Sequence, residues 1–564
     1  MGWAGVPLIA LLISVRTAEQ AGCLQHSPPR APDEALVSSS WSALPAYRLS
    51  QAGLPDVVEL LGDLFQPRPD GSGALGVHGV ILLRRRPAVA SCTVQELLLA
   101  GYVDERREEL LATLTEWLRI PSISADPGHA PDVARSAEFC AVLMRDAGLD
   151  NVEVLPTGPD GDGSGGPAVY GDWLHAGPEA LTVLVYGHHD VQPVDPLEEW
   201  ASPPFDPEVR GGVLHARGCS DDKGQVLMQL AAARGVLSRL GRLPVNLKVL
   251  VEGEEERGSP HFEDLLRRGG DKFACDVVVV SDTTMVAADV PSTTVGMRGL
   301  VAFDVTVRTA RSDLHSGIWG GTVPNAALVA AQMAAALHDG AGRVTLPGFY
   351  DDVRELSPQE ARSQAELPFD EQELMDKAGV GELSGEAGRT PYERTGTRPT
   401  AEVVGIHSGY GGPGIKTIVP ATANFKVALR LVPDQGPACV VEQFRAWAAA
   451  HTPRGAEVEV VPVGGVSPLV TPVDHPAVAA LSRAVERVWG KAPLFERSGG
   501  SGPEEALHRV LGAPVTFLGV ALPEDNFHAP NERFDLAQFW RGVLAAGELL
   551  VELGRLPRAA GRAR

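Results

Sequence analysis

A chain of 564 residues is too long for one ordinary hydrophobic core, so we expect two or three domains, and a hydrophobic content of 44% predicts that they are globular. The formal net charge of -23 argues against nucleic acid and anionic membranes as partners, because both would repel an acidic surface. The six cysteines are scattered without a Cys-x-x-Cys pair, which predicts a reducing, cytoplasmic environment.

Residues 1–100 carry the weakest structural signal. The run WAGVPLIALLISV is too short to span a membrane, and no Lys or Arg precedes it. The stretch from 20 to 100 is rich in Pro, Gly and Ala and has no clear periodicity. Helical periodicity begins only at ERREELLATLTEWLRI, so the true start of the protein could lie downstream, near Val103. We therefore treat residues 1–100 as an extension that need not belong to the mature fold.

The stretch VLVYGHHDVQP places three polar side chains at the end of an apolar run. The run ALTVLVYG ends at Gly187 and predicts a buried strand. Because side chains alternate along a strand, His188 and Asp190 are expected on one face and His189 on the other.

The same pattern recurs at three later apolar runs, each of which leads into acids or a histidine. Between the run that ends at Gly187 and the next run, a loop carrying two aspartates precedes a helical segment. Apolar runs alternating with helices predict a mainly parallel α/β sheet with helices on both faces, and ligands bind at the carboxyl ends of such strands. The side chains expected to converge there are His188, Asp221, Asp222, Glu252, Glu254, Glu255, Glu256, Asp282 and His528.

Each of these side chains taken singly has a structural explanation, such as a capping histidine or a solvated acidic turn. Together they indicate a metal site, because several carboxylates at one edge repel one another unless cations neutralise them. Histidines mixed with carboxylates suit two divalent ions, with zinc favoured and manganese or cobalt as alternatives. No serine lies in a Gly-x-Ser-x-Gly elbow, so a serine nucleophile is not indicated.

From about Val103 to Leu553 the chain resembles the M20-type metallopeptidase family of aminoacylases and carboxypeptidases, within it the branch of cytosolic non-specific dipeptidases and carnosinases. The motifs that carry the resemblance occur in the family's order. They are YGHHDVQP, DDKG, EGEEERGSP, SDT, RSDLHSGIWGG, GIKTIVP, ALRLVP, GGSGP and NFHAPNE.

The resemblance implies roles that spacing alone leaves open. His188 and Asp282 would hold one metal, Glu256 and His528 the other, and Asp221 would bridge the two. Asp190 would orient His188, and Glu255, which spacing cannot distinguish from its neighbouring glutamates, would be the general base.

Further roles implied by the resemblance concern the substrate. Arg430 and Thr417 would bind the terminal carboxylate, and Ser501 would line the pocket. His315 would reach from one subunit of a homodimer into the other's site and donate to the oxyanion.

Some positions depart from the family's pattern. Cys219 stands where a small residue is usual, and we expect it to pack as a small apolar side chain. Ser498 and Gly502 replace an acid and an aliphatic residue, which affects the pocket more than the metals.

A second domain is expected after Asp282. LVAFDVTVRTA and ANFKVALRLVP alternate apolar and polar residues, and helices are expected near Val323–His338 and Ala438–His451. This predicts an antiparallel sheet with two helices. By the resemblance it would be an inserted lid and dimerisation domain at 295–468. The catalytic domain would be formed by 101–294 and 469–564.

The sequence thus predicts a dipeptidase that acts on small peptides with a free C-terminal carboxylate. One alternative is an N-acyl-amino-acid amidohydrolase with the same metal chemistry, and a catalytically inactive peptide-binding protein is another. The presence of every expected ligand and of the base argues against the inactive protein.

Overall fold

The computed structural model describes residues 94–558, with side chains from Leu99 onward, and two antiparallel dipeptide strands, Leu11–Leu12 and Val80–Ile81. The rest of the predicted extension, including most of the WAGVPLIALLISV run, lies outside the described residues. The first helix nevertheless begins at Val94, and Leu99 is buried, so residues 94–100 belong to a helix of the main fold. In the described part of the chain, no helix is both long and apolar enough to cross a membrane.

The helices of the main fold are, in chain order, α1 (Val94–Leu118), α2 (Ala130–Asp146), α3 (Lys223–Leu240), α4 (Phe262–Gly269), α5 (Ser316–Trp319), α6 (Ala326–Ala335), α7 (Pro358–Glu366), α8 (Glu371–Ala378), α9 (Pro437–His451), α10 (Pro476–Trp489), α11 (Glu504–Leu511) and α12 (Leu536–Leu553). The strands are β1 (Asp150–Leu155), β2 (Ala168–Trp173), β3 (Thr182–His188), β4 (Glu208–Arg210), β5 (Val213–His215), β6 (Asn246–Glu252), β7 (Val277–Val280), β8 (Ser292–Met297), β9 (Gly299–Arg308), β10 (Leu314–His315), β11 (Thr400–Ser408), β12 (Ile418–Val419), β13 (Thr422–Leu431), β14 (Glu457–Val466), β15 (Leu469–Val470), β16 (Leu494–Ser498), β17 (Val515–Phe517) and β18 (Arg533–Asp535).

The central sheet has six strands in the order β17-β7-β3-β6-β2-β1, and the first four of these are parallel. Both of its faces are covered. Val183 and Val185 pack in a cluster with α1, α2, α3, α10 and α12, whereas Leu184 and Tyr186 pack in another with α4 and α11. Alternate residues of one strand thus enter different cores, which explains the continuous apolar run. The predicted parallel sheet with helices on both faces is confirmed.

A second sheet is antiparallel, in the order β11-β13-β9-β14. Its inward side chains pack against α6 and α9, where the rings of Phe303 and Phe444 stack 4.0 Å apart. The antiparallel sheet with two helices is therefore confirmed, although α6 is shorter than expected and α7 and α8 were not predicted. The strands that enter and leave this region pair at Gly296 and Val470, as an inserted domain requires, so 295–468 remains our proposed insertion.

Candidate active site

The parallel strands bring the predicted site residues to one edge of the central sheet. His188 ends β3 and lies in register with Glu252, which ends β6. Asp282 follows β7, the neighbour of β3 on the other side. Asp221 precedes α3. This is the carboxyl edge at which the sequence predicted convergence.

His188 is fully buried and surrounded by carboxylates. Its Nε2 lies 3.0 Å from Oδ1 of Asp221 and 3.5 Å from Oδ2 of Asp282. Its Nδ1 lies 3.1 Å from the backbone oxygen of Asp190 and 3.5 Å from Oδ1 of the same residue. Asp190 therefore fixes the ring through Nδ1 and leaves Nε2 directed at the other carboxylates, the arrangement of a metal-ligating histidine with a supporting carboxylate.

Asp221 lies between two histidines. Its Oδ1 faces His188, and its Oδ2 lies 3.1 Å from Nε2 of His528. The same Nε2 lies 3.2 Å from Oε2 of Glu256, to which Gln192 donates a hydrogen bond of 2.7 Å. A carboxylate whose two oxygens face two different histidines has the geometry of a bridge.

Asp190 also shapes the glutamate turn. Its Oδ2 accepts hydrogen bonds from the backbone N–H of Glu256 at 3.0 Å and from Oγ of Ser124 at 2.6 Å, and its Oδ1 accepts from the N–H of Glu255 at 3.3 Å. One buried carboxylate thus holds both His188 and the backbone that carries the two glutamates.

His189 and Cys219 lie outside the carboxylate cluster. His189 is buried with its Nε2 2.8 Å from the backbone oxygen of Pro167, and burial lowers its pKa to about 4. Cys219 is fully buried and its thiol lies 3.6 Å from the carbonyl oxygen of Leu214, as expected for a packing residue. Burial also raises the pKa of this thiol well above its usual value, so it is not a reactive thiolate.

The electrostatics of the cluster call for added positive charge. Burial, together with Asp282 and Glu256, raises the pKa of Glu255, and burial with Asp221 raises that of Glu256 to about 7. The contacts with Asp221 and Glu256 raise the pKa of His528 to about 10. The Oε1 atom of Glu256 is buried without a hydrogen-bond partner. Buried carboxylates with raised pKa values, one of which has an oxygen without a hydrogen-bond donor, are suited to bind a pair of divalent cations.

Two groups of side chains offer ligand atoms within 4.8 Å of one another, and both include His188. One joins it to Asp221 and Glu256, and the other to Glu255 and Asp282. His528 adds its Nε2 to the first group through the contacts given above. The geometry alone therefore permits Glu255 as a ligand or as a base.

The predicted substrate residues Arg430 and Ser501 are in contact. Nη1 of Arg430 donates to Oγ of Ser501 at 2.9 Å, and Ser501 donates to the backbone oxygen of Arg298 at 2.6 Å. Arg298 is itself buried, and burial next to Arg430 lowers its pKa to about 10. Among the described residues, no carboxylate forms an ion pair with either arginine, so neither positive charge is neutralised by an ion pair.

Thr417 and His315 lie at the opposite end of the second sheet. Arg430 pairs with Leu300 near one end of β9, whereas Thr422 pairs with Arg308 at the other. Eight residue steps of extended chain separate these pairs by about 26 Å. The predicted clamp of Thr417 with Arg430 on one carboxylate therefore cannot form within one chain, because an extended strand lies between them.

His315 and Thr417 are neighbours at that far end. His315 pairs with Ile418, and the N–H of Ser316 donates to the backbone oxygen of Thr417 at 3.0 Å. Both side chains are exposed, and the Nδ1 of His315 accepts a hydrogen bond from the N–H of Gly317 at 3.1 Å. The structure thus divides the predicted site residues into two groups within one chain.

Several buried residues that contact the site were not predicted. Arg298 holds the turn before Ser501 through the backbone oxygen of Gly499, at 3.1 Å, and Glu532 binds the segment that carries Asp221. Glu504 is buried, and a side-chain carbon at Gly502 would collide with its Oε2. Glycine at this departure from the family's pattern therefore makes room for a carboxyl group. Only Glu532 had a sequence signal, as the last residue of NFHAPNE.

Comparison with known proteins gives a family and several close relatives. Residues 184–552 match the family described as Peptidase family M20/M25/M40. The Beta-Ala-His dipeptidase of Homo sapiens is 29% identical over 468 residues, covering 81% of this chain and 92% of the relative. The Cys-Gly metallodipeptidase dug1 of Schizosaccharomyces pombe is 30% identical over 453 residues, covering 78% of this chain and 94% of the relative.

Solved structures show the same architecture. An M20 family metallo-carboxypeptidase from Sulfolobus solfataricus superposes with a TM-score of 0.70 and 32% identity, covering 79% of this chain and 100% of the other. Human carnosine dipeptidase 1 superposes with a TM-score of 0.67 and 26% identity, covering 83% of this chain and 100% of the other.

Proposed function

Because the chain belongs to peptidase family M20/M25/M40, we propose that it is a metal-dependent dipeptidase that cleaves the peptide bond of dipeptides with a free C-terminal carboxylate. The single observation that carries the proposal is the arrangement of His188, Asp221 and His528. One carboxylate faces the Nε2 atoms of two histidines, amid further buried carboxylates that carry raised pKa values.

Two divalent ions per subunit would occupy this cluster of histidines and carboxylates. Zinc is the preferred ion, with manganese or cobalt as alternatives. His188 and Asp282 would hold one ion, Glu256 and His528 the other, and Asp221 would bridge them. Paired ions of this kind lower the pKa of a water molecule and polarise the scissile carbonyl. The contacts of both Asp221 oxygens and the unsatisfied Oε1 of Glu256 support this assignment.

Glu255 would serve as the general base. It lies next to the predicted ligands His188 and Asp282, and Asp190 fixes its backbone through the N–H. Its carboxylate would take a proton from the attacking water and pass that proton to the leaving amine.

Arg430 and Ser501 would bind the C-terminal carboxylate of the dipeptide. The hydrogen bond between them fixes the guanidinium group, and the described residues supply no carboxylate to neutralise it. An Arg fork matches the two oxygens of a carboxylate. This clamp would select free dipeptides over peptides that are blocked at the C-terminus.

The enzyme would act as a homodimer in which each site is shared. Because His315 and Thr417 belong to segments that adjoin the far end of the sheet, about 26 Å along β13 from Arg430, they would serve the site of the other subunit. His315 would donate to the oxyanion, and Thr417 would contact the substrate carboxylate. Exposed apolar side chains nearby, Ile318 at 70% and Ile415 at 94% exposure, support a surface that another subunit covers.

We further propose a cytoplasmic location. Among the described residues, Cys140 and Cys219 are fully buried and form no disulfide, as expected in a reducing environment. The proposed partners are small peptides, with no nucleic acid or membrane surface, because the net charge of -23 repels both.

The test is hydrolysis by the metal-loaded protein of unblocked dipeptides, measured beside N-acetyl amino acids at equal concentration. We expect turnover of the dipeptides. Faster turnover of the N-acetyl amino acids would identify an amidohydrolase instead. Binding of dipeptides without turnover by fully metal-loaded protein would identify a peptide-binding protein and refute the proposal.

A further inference from the structure

The fully buried carboxylate of Glu532 accepts hydrogen bonds from the backbone of the segment that carries Asp221. Its Oε1 accepts hydrogen bonds from the N–H groups of Ser220 at 3.0 Å and Asp221 at 3.1 Å. Its Oε2 accepts from the N–H of Gly218 and from Nη1 of Arg217, both at 2.8 Å. Both oxygens are thus occupied by donors, so Glu532 is not available as a metal ligand itself.

The same residue ends the loop that carries His528. Three non-glycine residues of this loop adopt left-handed backbone conformations, namely Asn526 with φ of 59°, His528 with φ of 59° and Asn531 with φ of 64°. Such conformations are uncommon and persist when surrounding contacts impose them. Glu532 provides such contacts, because its backbone oxygen also accepts from the N–H of Ala216 at 3.2 Å.

The two segments meet at the candidate metal site although they are far apart in the sequence. Nε2 of His528 and Oδ2 of Asp221 lie 3.1 Å apart, and among the described contacts Glu532 is bonded directly to the backbone of Asp221. We propose that Glu532 is a positioning residue that holds the ligands Asp221 and His528 in the mutual orientation that metal binding requires. This inference rests on the ligand assignment of the proposed function.

A purely structural role would give a different result. A buried carboxylate paired with Arg217 stabilises the fold only when its hydrogen bonds are satisfied, and breaking such a pair is destabilising wherever it lies. A positioning role has a further consequence, because loss of a group that orients ligands typically lowers metal affinity about 10- to 100-fold. Metal affinity of the folded protein therefore distinguishes the two roles.

The experiment uses Glu532→Gln in the full chain. The substitution places an NH2 group against backbone N–H donors, so at least one pair of hydrogen bonds is lost. We expect zinc affinity, measured by competition with a chromophoric chelator, to fall about 10- to 100-fold. The matched control is Glu386→Gln. It removes another buried carboxylate, 7% exposed, which accepts two hydrogen bonds of 2.8 Å from Arg398 in the segment between α8 and β11. It should leave zinc affinity unchanged.

The possible outcomes separate this inference from the proposed function. Wild-type protein that binds no divalent ion would overturn both. Wild-type zinc affinity in folded Glu532→Gln, or an equal loss in Glu386→Gln, would overturn only the positioning role. If Glu532→Gln does not fold, Glu532→Asp keeps the charge and shortens the side chain by one methylene. Undiminished affinity in that variant, or its failure to fold while Glu386→Gln folds, would overturn the positioning role.

Discussion

A site shared between subunits makes a quantitative prediction for mixtures of inactive variants. His315→Ala should lose about a hundred- to a thousandfold in turnover, because one oxyanion donor disappears. Glu255→Gln should lose about a hundred- to ten-thousandfold, because the base is gone. Each variant alone is then nearly inactive. In a mixed dimer, the His315→Ala subunit keeps its own Glu255 and receives an intact His315 from its partner, so one site in two is whole.

The expected recovery follows from random exchange. Equal amounts of the two variants give mixed dimers as about half of all dimers, and each has one intact site of two, so the mixture should reach about a quarter of wild-type activity. We expect His315 and Thr417 to serve one site and Arg430 the other. The reason is that about 26 Å of strand separates Arg430 from the end of the sheet that adjoins Thr417 and His315. The assay is dipeptide hydrolysis after subunit exchange, with exchange confirmed by mass spectrometry of differently labelled chains.

Matched mixtures sharpen the test. Glu255→Gln mixed with Arg430→Ala should not recover, because both residues serve the site of their own subunit and every site in the mixed dimer lacks one of them. His315→Ala mixed with Thr417→Ala should likewise show no activity above the mean of the two separate variants, since both residues serve the other subunit. Recovery of activity in either control would refute the shared site. So would an active monomer, or a mixture of His315→Ala and Glu255→Gln whose activity does not rise although exchange has occurred.

Further predictions address the base, the bridge, the clamp and the metals. Glu255→Gln should retain wild-type metal content by elemental analysis, whereas Asp221→Ala should lose both metal and activity, and two retained metals in the latter would contradict a bridging role. Arg430→Ala should lower kcat/KM about 10- to 150-fold for dipeptides, because it removes charge-assisted hydrogen bonds of about 1.5–3 kcal/mol, with little change for dipeptide amides, and equal losses on both would contradict the clamp. Chelation should lower Tm, and a divalent ion at one hundred times its Kd should restore about 2.7 kcal/mol, which scanning calorimetry would detect; an unchanged Tm would argue against a buried metal site.

The convergence of the metal-site residues could be predicted because it follows from topology. Apolar runs that alternate with helices predict parallel strands, and parallel strands bring their carboxyl ends to one edge. His188 ends one such strand, Glu256 and Asp282 follow two others, and the structure brings all three to one edge. The contact of Arg430 with Ser501 follows no such rule, because Arg430 lies in the second sheet and Ser501 in the loop after β16, so the contact depends on how the strands that enter the second sheet are placed.

The role of Glu532 was not accessible from spacing. Its carboxylate acts on backbone N–H groups more than 300 residues earlier, and a backbone donor has no signature in the sequence. The helices α7 and α8 were missed for a different reason. Both are short and carry few buried residues, so the apolar periodicity that reveals a helix is weak, and a capping box at Ser357 and Glu360 is the main local signal for α7.

The division of the substrate residues between the two ends of the second sheet was, by contrast, available in the sequence. Thr417 precedes and Arg430 nearly ends a segment whose alternation predicts one continuous strand, and the observed strand β13 runs from Thr422 to Leu431. The eight residue steps from Thr422 to Arg430 span about 26 Å, several times the size of a carboxylate, so Arg430 and a residue before the start of the strand cannot clamp the same group. If both bind the substrate's carboxylate, one of them belongs to another copy of the chain. If both residues bind the carboxylate, the length of this strand therefore predicts an oligomer. This prediction does not depend on any role of His315.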